Sequence, residues 1–177
     1  MSDIFGQLAP APACEHPELL AAPVARTLRT HAPGALVAEI DPAYADTENL
    51  CSHYGVPLDA SANAVVVRGT RAGTERFAVC MTLATRRVDV NGVVRRRLEA
   101  RKASFAPMDV AVAATGMEYG GITPVGAPED WPVWVDARVA AQSWLCIGSG
   151  IRSSKLFLPA DELVGLPGAV VVEDLAR

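Results

Sequence analysis

Side chains that bind metals or attack carbonyls are few in this sequence, and they do not gather. Four cysteines, Cys14, Cys51, Cys80 and Cys146, are scattered along the chain. No pair has metal-ligand spacing, and each sits in an apolar segment where a thiol acts as packing. The three histidines, His16, His31 and His53, do not cluster with them, so no metal site is expected. No GxSxG elbow is present and no histidine lies near the serine-rich stretch, which argues against a Ser-His-Asp triad. The phosphate-loop ending GK[ST] is missing, as is a dinucleotide fingerprint after a strand. No apolar run is long enough to cross a bilayer. The N-terminus, MSDIFGQLAPAPACEHPE, carries Asp3 and no basic segment ahead of an apolar stretch. It does not read as a signal peptide, so the expected compartment is the cytoplasm.

What is present fits one soluble globular domain: 177 residues, half of them apolar and a fifth charged. The net charge of −4 speaks against a general nucleic-acid binder, and no groove-reading motif is seen, so DNA is not an expected partner. The charge is unevenly spread. From Arg86 to Lys102, seven basic residues against Asp89 and Glu99 leave +5, and the rest of the chain carries −9. Such a stripe can hold a polyanion in one place. At 3.6 residues per turn, Arg95, Arg96 and Arg97 cannot all face one way, so an exposed solvated face is the competing explanation.

Along the chain, LAPAPAC reads as a loose arm and Pro17 to about His31 as an amphipathic helix with Leu19, Leu20, Val24 and Leu28 inward. ALVAEI reads as a strand, followed by a short helix capped by Asp46 and stopped at Gly55. AVVVRG and RFAVCMTLA form a hairpin across TRAGTE. Asn91 and Gly92 open an Arg-rich helix with Val94 and Leu98 inside. PMDVAVAAT is a helix from Pro107 to Gly116. WPVWVD, SWLCIGSG and KLFL are strands, followed by a helix begun by Pro159 and a last strand at AVVVED. Strands outnumber helices, the two are interspersed, and a mixed α/β domain with a largely antiparallel sheet follows.

Two loops could carry chemistry. TGMEYGGITPVG, Thr115 to Gly126, holds four glycines and a proline in twelve residues. Its backbone can approach a ligand, and Gly120 with Gly121 can point N–H groups at a phosphate or developing oxyanion. A tight turn joining two elements explains the same spacing. CIGSGIRSSK offers Ser149, Ser153 and Ser154 as hydroxyl donors around Gly150, with Arg152 as a fixed cation, or is an ordinary hairpin turn.

Taken together, HYGVPLDASANAVVV, VDVNGVVRRRLEARKASFAP, TGMEYGGITPVG, VWVDARV and LCIGSGIRSSKLFL resemble the YbaK/EbsC family, freestanding aminoacyl-tRNA deacylases related to the editing domain of bacterial prolyl-tRNA synthetases. The resemblance covers residues 35–177, with GGITP matching the family's GGxxP. Residues 1–34 stand outside it as an N-terminal arm and helix extension. It implies a single α+β domain with a central, mostly antiparallel, partly closed sheet flanked by helices.

The resemblance also implies a reaction: cleavage of the ester joining a wrong amino acid to the terminal adenosine of tRNA. A water or a group of the substrate attacks, without metal, cofactor or covalent enzyme nucleophile. The expected partner is the 3′ end of a mischarged aminoacyl-tRNA. A synthetase is a further candidate partner, and a membrane is not. Carried over, the catalytic positions are Asn63, Gly120 and Gly121, and the substrate-binding positions Ser149, Gly150, Arg152, Ser153, Ser154 and Lys155. Arg95, Arg96, Arg101 and Lys102 would meet tRNA phosphates. Asp136 matches the family's acidic residue after the WPVWV strand, where capping would serve equally well.

One departure stands out. Many relatives carry a lysine where this chain has Asn63, and only two lysines exist here, Lys102 and Lys155. Asparagine can hydrogen-bond but brings no charge. Three outcomes follow: catalysis with asparagine, substitution by another cation such as Lys155, or binding without turnover. A hydrolase of small esters or thioesters is a further alternative.

Overall fold

The computed structural model describes residues 4–177, so Asp3 lies outside the described residues. The LAPAPAC arm is not loose. Ala11–Pro12 pairs as strand β1 with β2 (Leu36–Glu39), and Ala13 behind it is wholly buried, its N–H bonded to the Ala35 carbonyl at 2.9 Å. The single helix expected from Pro17 to His31 is two pieces, a 3-10 turn at Pro17–Leu19 and α1 at Ala22–His31. Leu20 and Ala21 between them are extended. Pro23 explains the break, because its missing N–H and fixed φ are tolerated only in a helix's first turn. Val24 and Leu28 of α1 are fully buried.

Helix α2 (Thr47–Tyr54) starts after Asp46 as expected, but the Asp46 side chain makes no capping bond. Gly55 ends it in the left-handed region at φ 73°. Strands β3 (Ala62–Arg71) and β4 (Thr74–Leu83) form the expected hairpin. Its two loop residues, Ala72 and Gly73, both have positive φ, 49° and 81°, the twist that suits a two-residue hairpin loop.

The Arg-rich segment differs in its opening. Asp89 is the cap, accepting from the Gly92 and Val93 N–H groups, and Asn91 and Gly92 fall inside a π-turn at Val90–Val94. Helix α3 (Arg95–Arg97) is one short turn, with Val94 and Leu98 buried as expected. An edge strand not foreseen from sequence, β5 (Lys102–Phe105), leads to α4 (Met108–Thr115), which ends at Gly116. The remainder is β6 (Val133–Asp136), α5 (Ala137–Ala140), β7 (Trp144–Gly148), β8 (Ser154–Pro159), α6 (Ala160–Val164) and β9 (Ala169–Val172).

The mixed α/β class and single domain stand, and five of the seven strand pairings are antiparallel. The single, partly closed sheet does not stand. The strands divide into two sheets, β1-β2-β8-β7 and β5-β3-β4-β6-β9, and neither closes. The physical reason lies along β3. Its second half, Val67–Thr70, is paired by β5, whereas Ser61, just ahead of the strand, bridges to Cys146 of β7. The sheets touch there and splay apart beyond it.

Alternation along the strands separates three apolar layers. Val79 and Met81 of β4 join the central core with α1, β7 and β8, while Ala78 and Cys80 face the layer covered by Val94 and Leu98. Cys146 and Phe157 pack under α2 on the other sheet. Burial pushes both the Cys80 and Cys146 thiols up to about 12, so they serve as packing groups. Asp136, also buried, caps α5 through the Arg138 N–H at 2.9 Å and accepts the Ala176 N–H at 2.9 Å, a structural role.

Candidate active site

Where the sheets splay, a cavity of about 440 Å³ opens. One wall is the start of β3, including Asn63 and Ala64; another is the beginning of α2 at Asp46 and Thr47. Opposite lie Gly120 and Ile122 of the TGMEYGGITPVG loop, with Gly148 and Lys155 from β7 and β8.

The two glycine-bearing loops singled out separately in the sequence form one unit. The Glu118 N–H donates to the Gly150 carbonyl and the Gly150 N–H to the Gly121 carbonyl, both at 2.8 Å. A Cβ on Gly121 would stand 2.7–2.9 Å from the backbone of Ile151, and one on Gly148 would stand 2.5 Å from the Gly121 carbonyl oxygen. Only glycine allows that approach. Gly120 has φ 85°, and the Arg152 guanidinium occupies the space its side chain would need. Arg152 is tied down by its own N–H to the Glu118 carboxylate at 2.6 Å, and its guanidinium donates to the Pro42 carbonyl at 3.2 Å and lies 3.8 Å from Asp46.

The N–H of Gly121 is used internally, donating to the Glu118 carbonyl at 3.0 Å. The N–H groups of Gly120 and Ile122 have no acceptor among the described residues, and both residues line the cavity. Asn63 accepts a hydrogen bond from the Thr47 hydroxyl at 2.7 Å through Oδ1, which fixes the amide and leaves its NH₂ group without an acceptor among the described residues. Lys155 is only 7% exposed, with no hydrogen-bond or ion-pair partner for its ammonium among the described residues. Burial lowers its pKa from the ordinary lysine value; the Cys146 and Asp46 groups act the other way. Among the described residues no group of three or more His, Cys, Asp or Glu side chains converges to hold a metal ion.

The remaining sequence candidates fall elsewhere. Ser149 and Ser154 are fully buried, their hydroxyl oxygens 2.7 Å apart. Ser149 donates to the Ser154 carbonyl at 3.0 Å and Ser154 to the Leu19 carbonyl at 2.5 Å, and neither lines the cavity. Gly150 packs against Ala21, while Arg152 and Ser153 sit partly exposed behind the lining. Arg95, Arg96, Arg101 and Lys102 are exposed and lie outside the cavity. Arg97 of the same run lies over the Trp134 ring at 5.2 Å. Sequence reasoning did not single out Thr47, Gly148, Phe105 or Tyr119, all at the cavity. Tyr119 and Gly148 were inside the two glycine-bearing loops already marked; Thr47 and Phe105 carried no local signal.

The fold and site are those of a two-sheet α/β domain with a glycine-edged cleft. The profile of the aminoacyl-tRNA editing domain matches residues 41–166. The chain belongs to the aminoacyl-tRNA editing domain family, and within it the YbaK-like resemblance of its motifs holds. Several solved structures share the fold. A provisionally assigned trans-editing enzyme for prolyl-tRNA synthetase superposes with a TM-score of 0.73 at 20% identity, covering 86% of this chain and 94% of that one. A protein described as hypothetical gives 0.75 at 19% identity, over 88% and 99%. A scaffold used in grafting linear epitopes gives 0.72 at 22% identity, over 86% and 95%. At these identities the likeness shows the fold alone. No curated protein matches the sequence.

Proposed function

We propose that the chain acts in trans on a mischarged aminoacyl-tRNA and hydrolyses the ester to the 3′-terminal adenosine, by attack of a water or a substrate group. The observation that carries this reading is Gly120, whose N–H has no acceptor among the described residues, beside an open cavity shared with Asn63 and Lys155. A backbone donor held rigidly next to a reacting carbonyl stabilises the oxyanion without reorganising at the moment of reaction. Proximity supplies much of the rest for an already activated ester.

In this reading Gly120 donates to the oxyanion, and Gly121 allows the close approach that sets it. The Asn63 amide, oriented by Thr47, holds the carbonyl or the water. Lys155 provides the positive charge that Asn63 lacks. Ser149, Gly150, Arg152, Ser153 and Ser154 frame the second loop, and Arg95, Arg96, Arg101 and Lys102 meet phosphates of the acceptor stem or the CCA end. The compartment is the cytoplasm.

Asn63 also favours a second reading, an aminoacyl-adenosine or tRNA-end binder without turnover. Release of amino acid from a panel of mischarged tRNAs, by wild type and by Asn63→Lys, decides between them. Hydrolysis of at least one charged tRNA by wild type is expected. Release by neither protein leaves the binding-only reading and overturns the deacylase.

A further inference from the structure

The mouth of the cavity carries two side chains that its chemistry does not use. Of the ten aromatic residues, only Phe105 and Tyr119 are exposed, at 67% and 60%, and both line this one cavity. Every other aromatic ring is buried or half-buried. Neither Phe105 nor Tyr119 packs against another ring, and the Tyr119 hydroxyl has no hydrogen bond among the described residues. Burying either ring inward would be the ordinary outcome for a folded domain, so two unburied rings at one opening mark a contact surface.

The strand that ends in Phe105 begins with Lys102, directly after Arg101. Both cations are exposed and form no ion pair among the described residues. Glu99, an acidic neighbour, is already engaged by Arg76 at 2.6 Å. An edge strand at about 3.3 Å per residue therefore runs from free positive charge to an open ring over roughly 10 Å. Period-two alternation puts Arg101 on the same side of this edge as Phe105 and Lys102 on the other. An edge carrying both cations and a ring suits a single-stranded polynucleotide, which offers phosphates and bases together.

Resting on the proposed deacylase reading, we propose that Phe105 and Tyr119 stack on an unpaired base at the 3′ end of the RNA, while Arg101 and Lys102 take the phosphates leading up to it. The rings hold the nucleoside at the opening so that its ester reaches the glycine edge. Every base has a π-face, so this contact supplies affinity for a single-stranded end and little base preference.

The test uses an uncharged single-stranded RNA ending in CCA, with 2-aminopurine replacing the terminal adenine, titrated at low salt with the full chain. Wild type is expected to quench the fluorophore on binding. Phe105→Leu and Tyr119→Leu should each weaken binding by about 5- to 150-fold, the range for losing one stacked base. Phe105→Trp and Tyr119→Phe, which keep a ring, should bind as wild type. Both positions are exposed, and matching thermal melts confirm that the variants fold. Leucine variants that bind like wild type, as they would if the rings met a protein partner instead, overturn the inference; so does a wild type that leaves the probe unquenched at saturation. Because the RNA carries no amino acid, stacking can hold where hydrolysis fails, and hydrolysis can hold where stacking fails.

Discussion

Replacing Lys155 with methionine should separate stability from activity. Lys155 as a residue is 7% exposed, lines the cavity beside Cys146, and its ammonium has no hydrogen-bond or ion-pair partner among the described residues. Methionine keeps the length and removes the charge. Lys155 borders the open cavity, and relief of the partial desolvation of its charge is worth about 1–3 kcal/mol. For a chain of this size each kcal/mol moves Tm by roughly 2–4 °C, so Lys155→Met should melt about 2–12 °C higher at pH 7. Burial lowers the folded-state pKa of Lys155 below the 10.5 of the unfolded chain. Below the folded value both states hold the proton and the penalty is present in full. Between the two values the unfolded state holds more protons, so wild-type stability rises with pH through that window. The gap between variant and wild type should narrow across the same window and close above 10.5. Deacylation should fall by about a hundredfold, the scale for losing one stabilising donor or charge at a reacting centre. Melts followed by circular dichroism from pH 7 upward, with single-turnover assays, read both effects. A variant no more stable than wild type, or a gap that widens with pH, would refute the reasoning.

Three further outcomes follow from the geometry. Gly121→Ala places a Cβ 2.7–2.9 Å from the Ile151 backbone, so it should cost about 1–3 kcal/mol by overpacking and reduce deacylation, measured by urea unfolding and amino-acid release. Ala72→Gly at φ 49° relieves a left-handed residue in the hairpin loop and should raise stability by up to about 1 kcal/mol with activity unchanged, by the same unfolding assay. Affinity for tRNA should fall steeply with salt, and Arg101→Ala or Lys102→Ala should each lower the slope of log affinity against log salt by about one. A slope unchanged in both variants places the tRNA phosphates elsewhere.

Features governed by neighbours in sequence were legible before the fold was known. The β3–β4 hairpin follows from two β-branched runs around a short turn, and Gly55 and Gly116 mark helix ends because a left-handed cap needs no distant partner. The break at Leu20–Ala21 was also local and was overlooked, since apolar spacing outweighed Pro23. Strand β5 was hidden because KASF has no period-two pattern and is defined only by β3 beside it. Each glycine loop could be marked from its composition. Their union could not, because Gly121 meets Ile151 and Gly150 only after β6 and β7 have been placed. The same holds for Lys155, whose position opposite Asn63 depends on where two separate sheets part.

The interlock between Gly121, Gly148 and the Ile151 backbone leaves one side of the cleft with no room to vary. Any added atom there displaces main chain, so that side behaves as a fixed anvil. Diversification of the amino acid accepted must then come from the opposite side, where Ala62, Ala64 and Leu50 present ordinary side chains that can be enlarged or trimmed one carbon at a time. Libraries that seek new selectivity should be built at those three positions and should leave the glycines alone.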